Sequence, residues 1–539
     1  HNRFDEKLKK FSIYLFIIGG RLLYETLYCN MKNVLPSITT IFRYMDQTQD
    51  KIVEGTFRFK ELRLFLIQRN LPLQVWISED GTRITGKIEY EEHSNKLVGF
   101  VLPLKNGCPQ TDTYIASSAK SIVNHFNSGV RANYAYVVMA QSIDDSAPSF
   151  CLSIYGTDSR FSYEDVMKRW EVMKSLAAKE EIDILGFSSD GDPRLLKAMQ
   201  VSGFSNISTT EPSNNINGID DSINPCTNDD KSELDWSWFA IGKPPDENIV
   251  NEIYVQDTVH IGTKLRTRFL KPSIILPMGS KFASVSHLIS LTKQYSKDKH
   301  LLTMTDLKPE DKMNFRSAEK MCSTKVLELL PNIPDTSATI TFLKIMNYIL
   351  SAYLDKNLKI EERIYKMWFS VFFLRIWKVW IQNNCKYTLG ENFISTNCYS
   401  CIEINAHSLI RLVIRFRDDK NLKAELFTIW NFSSQTCEKF FRATRSLTST
   451  YSTVVNFSMK DIINRLKRIE AITTIKTELE SSDTGIKFTR QKQNNNLNSS
   501  NFSGLENTTI VNIVKKSLTD AKNMAHSLGM SIQTDISMQ

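Results

Sequence analysis

The sequence predicts an α/β fold: a mixed sheet with flanking helices, interrupted by an all-α insertion, preceded by a helical module and followed by a disordered tail. Three observations carry this. Around Ile182 to Met199, a short apolar run from Ile184 to Phe187 ends in Asp190 and Gly191 before a new helix begins at Pro193, which marks a strand-to-helix switch. From about 273 to 385 the apolar spacing is helical throughout, with almost no strand punctuation. Past about 472 the composition turns to Ser, Asn, Thr and Lys, including Asn494-Asn495-Asn496, and such a chain cannot bury enough apolar surface to stay ordered.

Bulk properties bound the rest. A chain of 539 residues with 42% hydrophobic and 10% aromatic residues supports roughly two to four domains with real cores. A net charge of +8 and a pI near 8.8 permit an anionic partner without specifying one. Nine cysteines are scattered and odd in number, with no signal peptide ahead of them, so they read as reduced thiols and not as a disulfide framework. Cys398-Tyr-Ser-Cys401 has no second pair at zinc spacing and reads as two ordinary thiols. Phe11 to Gly20 is too short to span a bilayer, and the aromatic segment from Ile364 to Ile381 is broken by Lys366, Arg375 and Lys378, so no membrane is expected. The chain begins at His1 without an initiator methionine, which is compatible with the loss of an N-terminal domain.

Residues 1–72 alternate helical patterns with turn signals. Leu35-Pro36-Ser37 precedes an apolar-periodic run from Ile38 to Met45, and Thr56 to Asn70 interleaves Phe57, Phe59, Leu62, Leu64 and Leu66 with basic residues. The module is either a packing collar or a helix-turn-helix or oligomerising element. Residues 73–272 begin with strand character. Gln74 to Ser78 leads into Glu79-Asp80-Gly81, and Ile84 to Tyr90 and Lys96 to Leu102 flank a polar turn. A helical stretch near Ser118 to Phe126 and a strand at Tyr134 to Ala140 follow. Ser162 then caps an amphipathic helix, with Asp165 at the capping-box position and Val166, Trp170, Met173 and Leu176 on one face.

That helix feeds the switch at Asp190. In an open α/β sheet, ligands bind beyond the carboxyl ends of the strands, so a carboxylate there faces a site. Asp192 directly precedes Pro193 and reads as a helix cap. Asp190 has no such structural task in the sequence and is the candidate for chemistry. Three antiparallel strands, a helix, a strand, a helix and a strand is the order of an RNase H-like fold. Residues 205–232 read as a disordered loop, and order resumes from Leu234 to Ile241. Asp257 and His260 stand at another strand end; the histidine is either a satisfied, partly buried ring or a supporting site residue. The basic residues Lys264, Arg266, Arg268 and Lys271 after it are expected to meet phosphates.

Residues 273–385 form the all-α insertion, whose Trp368, Phe369, Phe372, Phe373, Trp377 and Trp380 are expected as core and not as a base-stacking platform. Residues 386–472 close the sheet domain, with Glu403 and His407 on one helix and Glu438 near the first turn of another. A glutamate there could serve the helix dipole alone. Arg442 and Arg445 on that helix are further basic residues that could meet phosphates. Residues 473–539 are the tail, with one weakly amphipathic segment near Ile510 to Leu528.

Taken in order, these motifs resemble the P-element type of cut-and-paste DNA transposase, the group related to THAP proteins, over roughly residues 10–470. Asp80-Gly-Thr-Arg-Ile84, Glu89-Tyr90 and Gly99-Phe100-Val101 resemble a family motif that opens on the first catalytic aspartate. Asp190-Gly191 matches the second aspartate, and Asp257-Thr-Val-His260 with Lys264 resembles an Asp-Pro-x-His-x-x-Lys segment shared in outline with hAT transposases. Ser434-Gln-Thr-Cys-Glu438 with Phe441 and Arg445 resembles the segment bearing the third catalytic carboxylate, and Leu35-Pro36-Ser37 resembles the family's Leu-Pro-Ser at its helix-turn-helix. Gly81 stands where the family commonly has Glu, and Thr436-Cys437 replaces the usual Asp before Leu-Glu. No THAP zinc finger is present in the sequence.

The resemblance implies a DDE/D-type enzyme in which Asp80, Asp190 and Glu438 hold Mg2+ or Mn2+ for cleavage and strand transfer of DNA. Asp257 and His260 would support that site. Transposon ends and target DNA would be the partners, the nucleus the compartment and a homo-oligomer a possible state. The family's insertion binds GTP, but this chain has no Gly-rich loop followed by Lys-Ser or Lys-Thr that would support it. The alternatives are a domesticated, inactive DNA-binding or scaffold protein and a nucleotide-binding interaction module centred on the insertion.

Overall fold

Residues 4–31, 34–48, 52–145, 147–204, 253–447, 457–481 and 502–530 are described by the structure, a computed structural model. The loop expected at 205–232, the order expected at 234–241 and the Asn494–Asn496 run lie outside those residues.

Five strands build the central sheet: β1 (Gln74–Arg83), β2 (Tyr134–Ser142), β3 (Phe150–Thr157), β4 (Asp183–Ser189) and β5 (Ile253–Gln256). Their order is β3-β2-β1-β4-β5. β2 runs antiparallel to both β1 and β3, whereas β4 and β5 are parallel. This is the RNase H-like mixed sheet that the sequence predicts, but two of its antiparallel strands differ from the expected ones. Glu89–Glu91 pairs with Lys96–Val98 as a separate hairpin inserted between β1 and β2. The third sheet strand is β3, whose residues are buried along its whole length. A strand covered on both faces carries no apolar-polar alternation, so periodicity does not reveal it.

The helices are α1 (Glu6–Asn30), α2 (Ile38–Thr48), α3 (Phe59–Gln68), α4 (Tyr163–Lys179), α5 (Pro193–Phe204), α6 (Thr258–Leu270), α7 (Ser337–Leu354), α8 (Ile360–Gln382), α9 (Thr396–Asp418), α10 (Gln435–Ser446), α11 (Met459–Ser481) and α12 (Asn507–Ser527). Further helices of ten residues or fewer and three two-stranded hairpins lie between them. The chain divides into two compact units, His1–Leu185 with Ser434–Asn496, and Gly186–Ser433 with Leu497–Gln539.

In the first unit, α10 and α11 pack Cys437, Phe440, Phe441, Ile462, Ile463 and Leu466 against Val137, Met139, Cys151 and Ile154 of the sheet. α4 buries Val166, Trp170 and Met173, and both halves of its predicted capping box are formed by Ser162 and Asp165. The N-terminal module is helical as expected. Ile13, Phe16, Ile17, Tyr24, Leu35, Ile41 and Met45 form one cluster with Ile475 and Leu479 of α11. α1 is broken at Gly20, whose φ of 73° and ψ of 175° no helix contains. The Tyr24 hydroxyl donates to the Pro36 carbonyl at 2.9 Å, which fastens the Leu-Pro-Ser turn to α1.

A buried carboxylate in this unit makes stability depend on pH. Glu54 is 6% exposed and accepts from the Gly156 amide at 2.8 Å. Burial drives its carboxyl up to about 7 from 4.5, against that hydrogen bond and the charge of Lys96. The folded carboxyl holds its proton longer than the unfolded one, so the stabilisation is complete below pH 4.5 and is lost as pH rises to about 7. The difference corresponds to about 3 kcal/mol. Urea midpoints measured across this range should therefore fall with pH, and Glu54→Gln should flatten that part of the profile. A profile unchanged in the variant would show that another group sets the slope.

In the second unit, Trp368, Phe373 and Trp377 of α8 are fully buried and Phe369 and Phe372 nearly so, which makes these aromatics the core of the insertion. Trp380 is half-buried at its margin, 5.6 Å from Tyr387. The insertion is not wholly helical, because Leu276–Met278 pairs antiparallel with Lys281–Ala283. Gly279, at a φ of 64°, makes that tight turn, and Trp377 Nε1 donates to the Pro277 carbonyl at 2.6 Å. The amphipathic segment expected near Ile510 to Leu528 is α12, which buries Ile510, Val514, Ala521 and Ala525. On α8 the Tyr365 hydroxyl donates to its Asp520 at 2.7 Å. Among the described residues β5 is the last strand of the sheet, and helix α9 covers its outer edge. Asn405 accepts from the Gln256 amide at 2.7 Å and donates to the Gln256 carbonyl at 2.8 Å, and Ser408 donates to the Tyr254 carbonyl.

Candidate active site

Glu79 and Asp80 are consecutive on β1, so they point to opposite faces of the sheet. Glu79 meets α4. Its Oε2 accepts from Arg169 at 2.5 and 2.9 Å and from the Tyr136 hydroxyl at 2.9 Å, while Oε1 accepts from Trp170 Nε1 at 2.5 Å. The pair is almost fully enclosed, at 1% exposure for Glu79 and 0% for Arg169. Burial opposes the charged guanidinium, yet the charge of Glu79 and its hydrogen bond outweigh burial and raise the Arg169 pKa. Every acceptor site of this carboxylate serves the core.

Asp80 faces the other way. Two residues before it on the same face, Ser78 Oγ lies 2.5 Å from Thr436 Oγ1 and 3.4 Å from Cys437 Sγ, so the start of α10 lies over this face. Asp80 is partly exposed and accepts from the Gly81 amide at 2.6 Å. Burial first, and then the negative charge of Asp80, push the Cys437 thiol well above its usual range. Glu438, the next residue of α10, is likewise partly exposed. On the same helix Arg445 donates to Thr82 Oγ1 at 3.2 Å, and Arg442 is exposed. The first unit thus presents two carboxylates, Asp80 and Glu438, from facing elements.

Asp190 belongs to the second unit and stands partly exposed at the end of β4. The chain turns at Gly191, whose φ of 88° favours glycine, and Asp190 Oδ1 accepts from the Asp192 amide at 3.1 Å. Asp192 does what its place before proline implies. Its Oδ1 accepts from the amides of Arg194 at 2.8 Å and Leu195 at 3.4 Å, capping α5, and Arg194 binds both of its oxygens. Burial alone would raise its pKa, but hydrogen bonding and charge from Arg194 prevail and lower it. Asp192→Ala is expected to cost about 0.5–2 kcal/mol through the lost cap and to leave the chemistry of Asp190 in place. Thermal unfolding compared with Asp190→Ala checks this.

Asp257 is fully buried and caps α6, accepting from the amides of Val259 at 2.7 Å and His260 at 3.3 Å. His260 is half-buried in the first turn. The basic stretch on α6 needs correcting residue by residue. Arg266 is 0% exposed and donates to the carbonyls of Asp306, Lys308 and Asp311, so it ties down that loop and is not presented to a phosphate. Arg268 donates to the carbonyls of Phe393, at 2.6 Å, and Gly390. Lys264 reaches the Asp190 carbonyl at 3.4 Å and Asn397 Oδ1 at 2.9 Å. Lys271 is exposed. Glu79, Arg169, Asn397 and Ser78 were not anticipated as site neighbours, and apart from the adjacency of Glu79 to Asp80 no local spacing points to them.

Carboxylate oxygens are the donors that Mg2+ and Mn2+ take, so the residue types fit such an ion. Among the described residues, however, no three His, Cys, Asp or Glu side chains are grouped so as to hold a metal. Nor is any helix among them long and apolar enough to cross a membrane.

No family model matches the chain, and no curated protein does. Among solved structures, the Drosophila P element transposase strand transfer complex matches with a TM-score of 0.57 and 13% identity, over 87% of this chain and 92% of that one. With the sheet order and the corrected strands, that likeness shows that the chain has the fold of a P-element-type transposase.

Proposed function

We propose that this chain is a transposase-like protein that acts on DNA, cleaving phosphodiester bonds and transferring strands with Mg2+ or Mn2+. The observation that carries the reading is the likeness over 87% of the chain to a transposase captured in a strand transfer complex. Asp80, Asp190 and Glu438 are the residues proposed to hold the ion. Within the first unit the elements support this, since α10 lies on the face of β1 that bears Asp80. When bound, divalent ions would activate the attacking oxygen and stabilise the leaving one in an in-line displacement. The chain's own share is to present three carboxylates and to bind the DNA backbone. Drawing those carboxylates into one group is part of the proposal.

Of the candidate cations Lys264, Arg266, Arg268, Lys271, Arg442 and Arg445, Lys271 and Arg442 are exposed and so best presented for phosphate contact. The nucleus, where such DNA is met, is the proposed compartment, and more than one copy on the DNA belongs to the same reading.

A second reading, a DNA-binding or scaffold protein that keeps the fold without strand transfer, rests on the same likeness. Incubating the full chain with duplex DNA and Mg2+ or Mn2+ separates the two. Nicking or joining that requires the ion supports the enzyme. Salt-sensitive DNA binding with no ion-dependent cleavage supports the scaffold.

A further inference from the structure

The turn that presents Asp190 is held from outside its own strand. Lys264 Nζ, on α6, lies 3.4 Å from the Asp190 carbonyl and 2.9 Å from Asn397 Oδ1. Asn397, in the first turn of α9, donates its Nδ2 to the Gly191 carbonyl at 3.1 Å. Two consecutive carbonyls of the turn are therefore bound by two side chains that are also bonded to each other. A Cβ at residue 191 would lie 2.3 Å from Lys264 Nζ and 3.5 Å from Asn397 Oδ1. Glycine is favoured there by the backbone conformation, and a Cβ would push the Lys264 ammonium out of its place in the clamp. Since Asp190 Oδ1 accepts from the Asp192 amide at 3.1 Å, the direction of this carboxylate follows the turn, and the turn follows the clamp.

We propose that Lys264 and Asn397 are positioning residues that aim the Asp190 carboxylate by fixing the peptide units of residues 190 and 191. This deepens the reading of Asp190 as an ion-holding carboxylate and rests on it. The geometry sets it against a phosphate contact for Lys264. To reach a phosphate, the half-buried ammonium would have to leave both acceptors and release a loop that it now holds.

The test uses the full chain with Lys264→Met, Lys264→Arg and Asn397→Ala. Amide hydrogen exchange at Asp192, whose amide donates to Asp190 Oδ1, should accelerate roughly five- to tenfold in the Met and Ala variants, the scale of one lost hydrogen bond, and Lys264→Arg should restore part of the protection. In ion-dependent DNA cleavage, both variants should lower kcat with little change in KM, the signature of a lost transition-state arrangement. The salt slope of DNA binding should be unchanged. Exchange that is unaltered in both variants overturns the proposal, as does a salt slope reduced by about one in Lys264→Met, which marks a phosphate contact. If the parent chain does not cleave DNA, the enzymatic reading fails by itself. The exchange measurement still decides whether the clamp holds the turn.

Discussion

Glu79→Leu is expected to cost about 3–5 kcal/mol of stability, whereas Asp80→Ala, one position along β1, should cost less than about 1 kcal/mol. The contrast follows from what each carboxylate touches. Leucine at 79 would leave Arg169, the Tyr136 hydroxyl and Trp170 Nε1 around an apolar side chain in a site whose residues are 0–4% exposed. A buried charge stripped of its partner is costly, and the stranded tyrosine and tryptophan donors place the cost at the upper end of that range. Arg169→Met should be milder than Glu79→Leu. It strands one carboxylate that still receives the tyrosine and tryptophan hydrogen bonds. Urea unfolding followed by tryptophan fluorescence checks the order. If Asp80→Ala destabilises as much as Glu79→Leu, the division of roles on β1 is wrong.

The second large effect is on chemistry. Under the proposed function, Asp80→Ala, Asp190→Ala and Glu438→Ala should each reduce ion-dependent DNA cleavage by about a thousandfold or more. Charge stabilisation by a bound ion is worth several kcal/mol, and every 1.4 kcal/mol is about tenfold in rate. Circular dichroism and unfolding midpoints should stay near the parent's, since all three side chains are partly exposed. Asp192→Ala is the internal control, because its carboxylate is committed to capping α5 and to Arg194. An Asp192→Ala variant as inactive as Asp190→Ala would sink the assignment, and so would full activity in Glu438→Ala.

What the sequence by itself determined is what depends on neighbours in the chain. The apolar run before Asp190, the Asp192-Pro193 cap, the Ser162/Asp165 capping box and the helical period of the insertion all reflect contacts within a few residues. The aromatic stripe of α8 was legible as core for the same reason, since a helix that is apolar nearly all round must be buried.

Only the tertiary structure decided which segments pair and which charges are turned inward. The Glu89–Val98 hairpin carries the same local signal as a sheet strand, and β3, buried along its length, carries none, so strand membership rests on long-range pairing. Glu79 and Asp80 are chemically alike and adjacent, yet the pleat sends one into the core against α4 and leaves the other beside α10. Arg266 and Lys271 belong to one basic stretch, yet the first is spent on three carbonyls of a loop about forty residues away and the second faces solvent. Asn397 meets Gly191 across 206 positions of sequence. No spacing rule reaches that far, because the contact exists only once α6 and α9 have packed around the end of β4.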